Sequence, residues 1–94
     1  MSNEYSVGRS LTIVNSRGLH ARASAKLVKL VEAFDARVEV SKDGQTVGGT
    51  SIMGLMMLAA SIGCSIEVSV SGKQRNEALD AIAELVEDGF GERD

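Results

Sequence analysis

The chain has 94 residues, of which 44% are apolar, with ten basic and thirteen acidic side chains, a net charge of −3, one Tyr, two Phe and no Trp or Pro. This is the length of one domain, residues 1–94, with a single modest core, and no apolar run approaches the ~20 residues of a membrane-spanning helix. An acidic balance with few aromatics argues against nucleic acid as a partner, and one Cys with one His makes neither an internal disulfide nor a zinc site.

The opening Met-Ser-Asn-Glu carries no basic region leading into an apolar stretch, so no export signal is expected and the location is expected to be cytoplasmic. Residues 10–14 alternate, with Leu11 and Ile13 on one face, and predict a half-buried strand that Asn15, Ser16 and Gly18 then break. Leu27, Val28, Val31 and Phe34 recur at helical spacing and predict a first helix over residues 21–33. On it Arg22, Lys26 and Lys29 fall at i, i+4 and i+7 and share one exposed stripe.

Residues 37–41 form a second strand, Lys42-Asp43-Gly44 a hairpin turn, and residues 45–47 its returning partner, since Asp-Gly supplies the positive φ angles of a tight turn. Thr50 or Ser51 caps a short helix expected over residues 52–61 and ending at Gly63. Ile52, Met53, Leu55, Met56, Met57 and Leu58 make this helix apolar almost all round, so part of it must face outward as a partner patch. Residues 65–71 give a fourth strand, with Ile66, Val68 and Val70 on one face. Residues 74–88 give a last helix that buries Ala78, Leu79, Ile82, Leu85 and Val86 and stops at Gly89, and residues 91–94 are expected to fray. Cys64 reads as a small buried filler. The order strand, helix, strand, strand, helix, strand, helix predicts an α+β domain: a four-stranded, mostly antiparallel sheet covered on one face by three helices. Pattern alone leaves the strand order open.

Charge is unevenly spread. From Tyr5 to Leu30 the chain carries Arg9, Arg17, Arg22, Lys26 and Lys29 against no acid, whereas after Gln74 acids predominate. The single histidine, His20, lies in the basic half, within Arg17-Gly18-Leu19-His20-Ala21-Arg22-Ala23-Ser24-Ala25, where the first helix is about to begin. The first N–H groups of a helix lack internal partners, so an imidazole there with a neighbouring guanidinium sits in an anion site suited to a phosphoryl group. On local residues alone, a lone histidine at a helix start is more often a polar cap or surface residue than a reaction centre.

Gly18-Leu19-His20-Ala21-Arg22, together with Ser51-Ile52-Met53-Gly54-Leu55-Met56, resembles HPr, the histidine phosphocarrier of the phosphoenolpyruvate-dependent phosphotransferase system. The resemblance spans about the whole chain and implies the HPr-like open-faced β-sandwich. It implies that His20 accepts a phosphoryl group through Nδ1 from phosphorylated enzyme I and passes it to enzyme IIA components in sugar uptake. Arg22 then stabilises the phosphoryl oxygens, and Ile52, Met53 and Met56 are docking residues beside the Arg22, Lys26, Lys29 stripe. Ser51 matches the serine modified by HPr kinase/phosphorylase. A carrier of this kind needs no cofactor, no metal and no base partner for His20, and is expected to act as a monomer rather than as an enzyme in its own right. Arg17 is placed to assist, without the sequence deciding where it points. Ala23 stands where the family often has proline, a change that removes no reacting group. The rival is a regulatory carrier of the nitrogen branch, similar to NPr, which acts by controlling partner proteins.

Overall fold

In a computed structural model, which describes residues 5–92, the chain forms β1 (Ser6–Thr12), α1 (Ala21–Val31), β2 (Arg37–Lys42), β3 (Gln45–Gly48), α2 (Ile52–Met57), β4 (Ser65–Ser71) and α3 (Arg75–Glu87), closed by a 3-10 turn at Gly89–Gly91. The strands lie in the order β1-β4-β2-β3, every neighbour antiparallel. In the register Val38 and Val40 of β2 face Val70 and Val68 of β4, while Leu11 of β1 faces Ile66. This row is buried, so alternation puts one face of the sheet under the helices. Leu27 and Val31 of α1, Leu55 of α2 and Ile82 and Val86 of α3 complete the core from the other side. The β2–β3 hairpin turns on Asp43 and Gly44, both at positive φ, as the Asp-Gly pair predicts.

Several expectations need correction. The first strand begins at Ser6 rather than residue 10 and ends at Thr12 rather than residue 14. Backbone pairing from Ser6↔Ser71 to Thr12↔Ser65 defines it, and Ser6 and Ser10 on this edge strand carry no apolar signal. α1 stops two residues early, its chain leaving through Glu32. α2 ends at Met57 instead of residue 61, because Ala59 enters the left-handed region with φ 53°. The segment after it is taken by tertiary pairing instead. Leu19 N–H donates to the Ala60 carbonyl at 2.9 Å, Gly63 N–H to Ile13 at 2.8 Å, and Ile13 N–H to Cys64 at 2.8 Å. Those bonds compete with, and replace, a further helical turn. Cys64 itself is half-buried rather than buried, with its Sγ 3.4 Å from Ser61 Oγ, a contact that pulls the thiol below its ordinary pKa.

The largest correction is at the C-terminal end. Residues 91 and 92, expected to fray, are folded back on the body, and Asp94 with Arg93 lies outside the described residues. Gly89, Phe90 and Gly91 all have positive φ, which turns the chain sharply after α3. Phe90 is wholly buried, and its hydrophobic contact holds that left-handed conformation. Among the described residues no helix is long and apolar enough to cross a membrane.

Candidate functional site at the start of α1

His20 is delivered by a loop with little freedom. Gly18 has φ +63°, and a Cβ there would lie 2.1 Å from the Ala60 carbonyl oxygen, so only glycine permits the approach that lets Leu19 N–H reach the same carbonyl. Leu19 is then buried and His20 becomes the N-cap of α1, in extended conformation, its carbonyl accepting from Ser24 N–H at 2.9 Å. Its side chain makes no cap bond. The imidazole is therefore not bound to the helix's own donors, and its side chain is 24% exposed. Arg22 follows in the exposed first turn, where no described residue forms an ion pair with it. Arg17 is exposed in the approaching loop.

The basic stretch is free of acid only along the sequence. Glu92 reaches it from 72 residues away, and one carboxylate oxygen bonds His20 Nε2. Its other oxygen accepts from Asn15 Nδ2 at 3.0 Å, and the same Asn15 amide donates to the Gly18 carbonyl at 2.9 Å. The Asn15 amide first, and His20 second, hold the Glu92 carboxyl below its ordinary pKa. The expectation that His20 lacks a partner is thus wrong, since Nε2 is engaged by a carboxylate. A carboxylate only accepts, so this contact fits a ring whose proton is on Nε2 and whose Nδ1 keeps its lone pair. Lys26, expected as part of an open stripe, donates from Nζ to the Phe90 carbonyl at 2.6 Å and so fastens the C-terminal turn; Lys29 is exposed.

α2 packs beside α1. Ser51 and not Thr50 is its N-cap, with Oγ accepting from Gly54 N–H at 2.9 Å. Of the helix itself only Leu55 is fully buried, while Ile52, Met53, Met56 and Met57 are exposed, Met53 to 71%. The apolar surplus read from the sequence is therefore a surface. Among the described residues no three His, Cys, Asp or Glu side chains gather as a metal site.

Three site residues escaped sequence reading. Asn15 reads as a strand breaker, Glu92 as one acid among many in a stretch expected to fray, and Phe90 is given no role by local pattern. The Gly-Phe-Gly run after a helix stop was the one available signal, because an apolar residue between two turn-forming glycines marks a chain that turns back to bury it.

The sheet order, the three helices and a histidine at the mouth of α1 fit a phosphocarrier class of protein. Residues 7–88 match the family model described as "PTS HPr component phosphorylation site", and the chain belongs to the HPr family of the phosphotransferase system. It is 48% identical over 84 residues to the phosphocarrier protein HPr of Cupriavidus necator, covering 89% of this chain and 94% of that relative. It is 39% identical over 84 residues to the phosphocarrier protein NPr of Shewanella violacea, covering 89% of this chain and 92% of the relative. The crystal structure of HPr-C-His from Thermoanaerobacter tengcongensis superposes with a TM-score of 0.88 at 37% identity, over 93% of this chain and 98% of that one.

Proposed function

We propose that His20 is the phosphoryl acceptor, taking the group from phosphorylated enzyme I and giving it to an enzyme IIA component in sugar uptake. The observation that carries this reading is an imidazole that makes no cap bond at the N-terminus of α1, where the first backbone N–H groups lack internal partners and Arg22 lies in the first turn. Nδ1 is the nucleophile. Arg22 and the first N–H groups of α1 hold the phosphoryl oxygens and offset their charge as the N–P bond forms. Ile52, Met53 and Met56 give the apolar part of the partner contact, with Arg22, Lys26 and Lys29 at its basic margin. Ser51 is a site for HPr kinase/phosphorylase, exposed at the helix start. The protein acts as a cytoplasmic, monomeric carrier.

Incubation with enzyme I and phosphoenolpyruvate, followed by mass spectrometry of the intact protein, tests the reading. One acid-labile, alkali-stable phosphoryl group is expected, and none on His20→Ala. Equal phosphorylation of that variant would remove His20 from the function. The NPr relative supports a second reading, a nitrogen-branch regulator, although HPr relatives match at higher identity. Transfer to a nitrogen-type but not a sugar-type IIA protein would favour it.

A further inference from the structure

We propose that Glu92 is a positioning residue for phosphoryl transfer: with Asn15 it holds the His20 proton on Nε2 and so keeps the Nδ1 lone pair available to phosphorus. The inference rests on His20 being the acceptor and goes beyond that assignment by adding a residue that touches no reacting atom. Asn15 is buried, and its Nδ2 faces two groups that can only accept, the Gly18 carbonyl and one Glu92 oxygen. Its Oδ1 has no partner among the described residues, so the amide is committed to donating. That leaves the second Glu92 oxygen to accept in turn from His20 Nε2.

Donation therefore converges on the Glu92 carboxylate, from Asn15 Nδ2 on one oxygen and from His20 Nε2 on the other. In the transfer the Nδ1 lone pair forms the new N–P bond while the donor's N–P bond breaks and its electron pair returns to the donor ring. The Nε2 proton stays in place, and His20 becomes a phosphorylated imidazolium whose positive charge faces the Glu92 carboxylate. Glu92 thus favours both the reactive tautomer before transfer and the cationic ring after it. Its placement is structural in origin. Buried Phe90 anchors the turn, and Lys26 Nζ ties the Phe90 carbonyl to α1, two residues short of the carboxylate.

Replacement by glutamine turns this arrangement into a test. In Glu92→Gln the amide oxygen is drawn to the Asn15 donor, which presents the new NH2 group to His20 Nε2. A donor at that position demands an unprotonated Nε2 and moves the proton to Nδ1. Glu92→Ala removes the bond without reversing it, and Glu92→Asp keeps its sense. The tautomer of His20 is read from 15N chemical shifts in the four full-length proteins at a pH where the ring is neutral. Rates of phosphorylation by enzyme I and phosphoenolpyruvate are measured on the same samples.

We expect the Gln variant to shift the proton toward Nδ1 and to accept phosphate about tenfold more slowly than the parent, the range in which partners behind a reacting group usually act. Glu92→Ala falls between, and Glu92→Asp restores part of the rate. Gln and parent proteins with the same tautomer ratio, or with different ratios and the same rate, overturn the proposal. A parent that takes no phosphate on His20 overturns the acceptor assignment itself, a result distinct from either.

Discussion

His20 has a carboxylate at Nε2, and it stands at a helix start whose first N–H groups lack internal partners, with Arg22 in the first turn. The carboxylate suits a proton that stays, the helix start an anion that arrives and leaves. Arg22→Ala should slow phosphoryl acceptance by about ten- to a hundredfold, less than the loss of a buried donor in an oxyanion site because this arginine is exposed. Its melting temperature should match the parent's, since the side chain packs against little; unchanged transfer rates would remove Arg22 from the mechanism. The Glu92 carboxyl gives a pH test. Its folded pKa lies below its ordinary 4.5, so its contribution to docking the C-terminal turn is complete above that value and lost as pH falls through the folded value. The protection of the Gly91 amide, its exchange rate divided into the intrinsic rate at each pH, should therefore be steady near neutrality and fall on acidification below about pH 4.5, and a flat protection profile would show that Glu92 does not hold the turn.

At the scale of elements, α2 is a short helix with a capped start and an exposed apolar side. Ser51 Oγ already serves Gly54 N–H, and a negative group at this position would still meet open N–H donors. Ser51→Asp, or the kinase-modified protein, should keep its melting temperature to within the effect of about 1 kcal/mol that a cap carries. It should accept phosphate from enzyme I markedly more slowly, because the charge sits beside exposed Ile52, Met53 and Met56. Unchanged transfer would sink the inhibitory role, and a large fall in melting temperature would contradict the cap argument. The basic stripe of α1 is divided in its duties. Lys26 holds the Phe90 carbonyl, so reversing its charge would disturb the C-terminal turn as well as any docking. Lys29 is the cleaner probe. Lys29→Glu should lower the on-rate for enzyme I several-fold at low salt, within the range of roughly tenfold or more for whole charged patches, and the difference should shrink as ionic strength rises. A difference that persists at high salt would point to structural damage.

For the molecule as a whole, the sheet and all three helices share the core, and the C-terminal turn joins that core to the site. Phe90 is fully buried in a left-handed conformation between two glycines. Phe90→Ala should destabilise the fold by about 3–5 kcal/mol, as large aromatic truncations do. It should also release Glu92 from His20, so that the His20 tautomer ratio approaches that of Glu92→Ala. Chemical denaturation and the 15N spectrum would read the two effects separately, and full stability with an unaltered spectrum would show that the turn is held otherwise.

Much of this architecture was legible residue by residue, and the limit of legibility has a physical cause. Alternation in Ile66, Val68 and Val70, the Asp43-Gly44 turn and the spacing of Leu27, Val28 and Val31 are local patterns, so they gave β4, the hairpin and α1 nearly to the residue. Asn15, Ser51 and Ala59 show where local pattern ends. The choice of Ser51 over Thr50 depended on one hydrogen bond, and the end of α2 on the pairing of residues 13–19 with residues 60–64. His20 at a helix start, Arg22 beside it and an apolar surplus on α2 were determined by the sequence alone, because nearest neighbours in the chain impose them. The order β1-β4-β2-β3 and the arrival of Glu92 at Nε2 were decided only by the tertiary structure. Both bring together groups far apart in sequence, and burial of Phe90 with the donors Asn15 and Lys26 fixes the second in a way no local periodicity records.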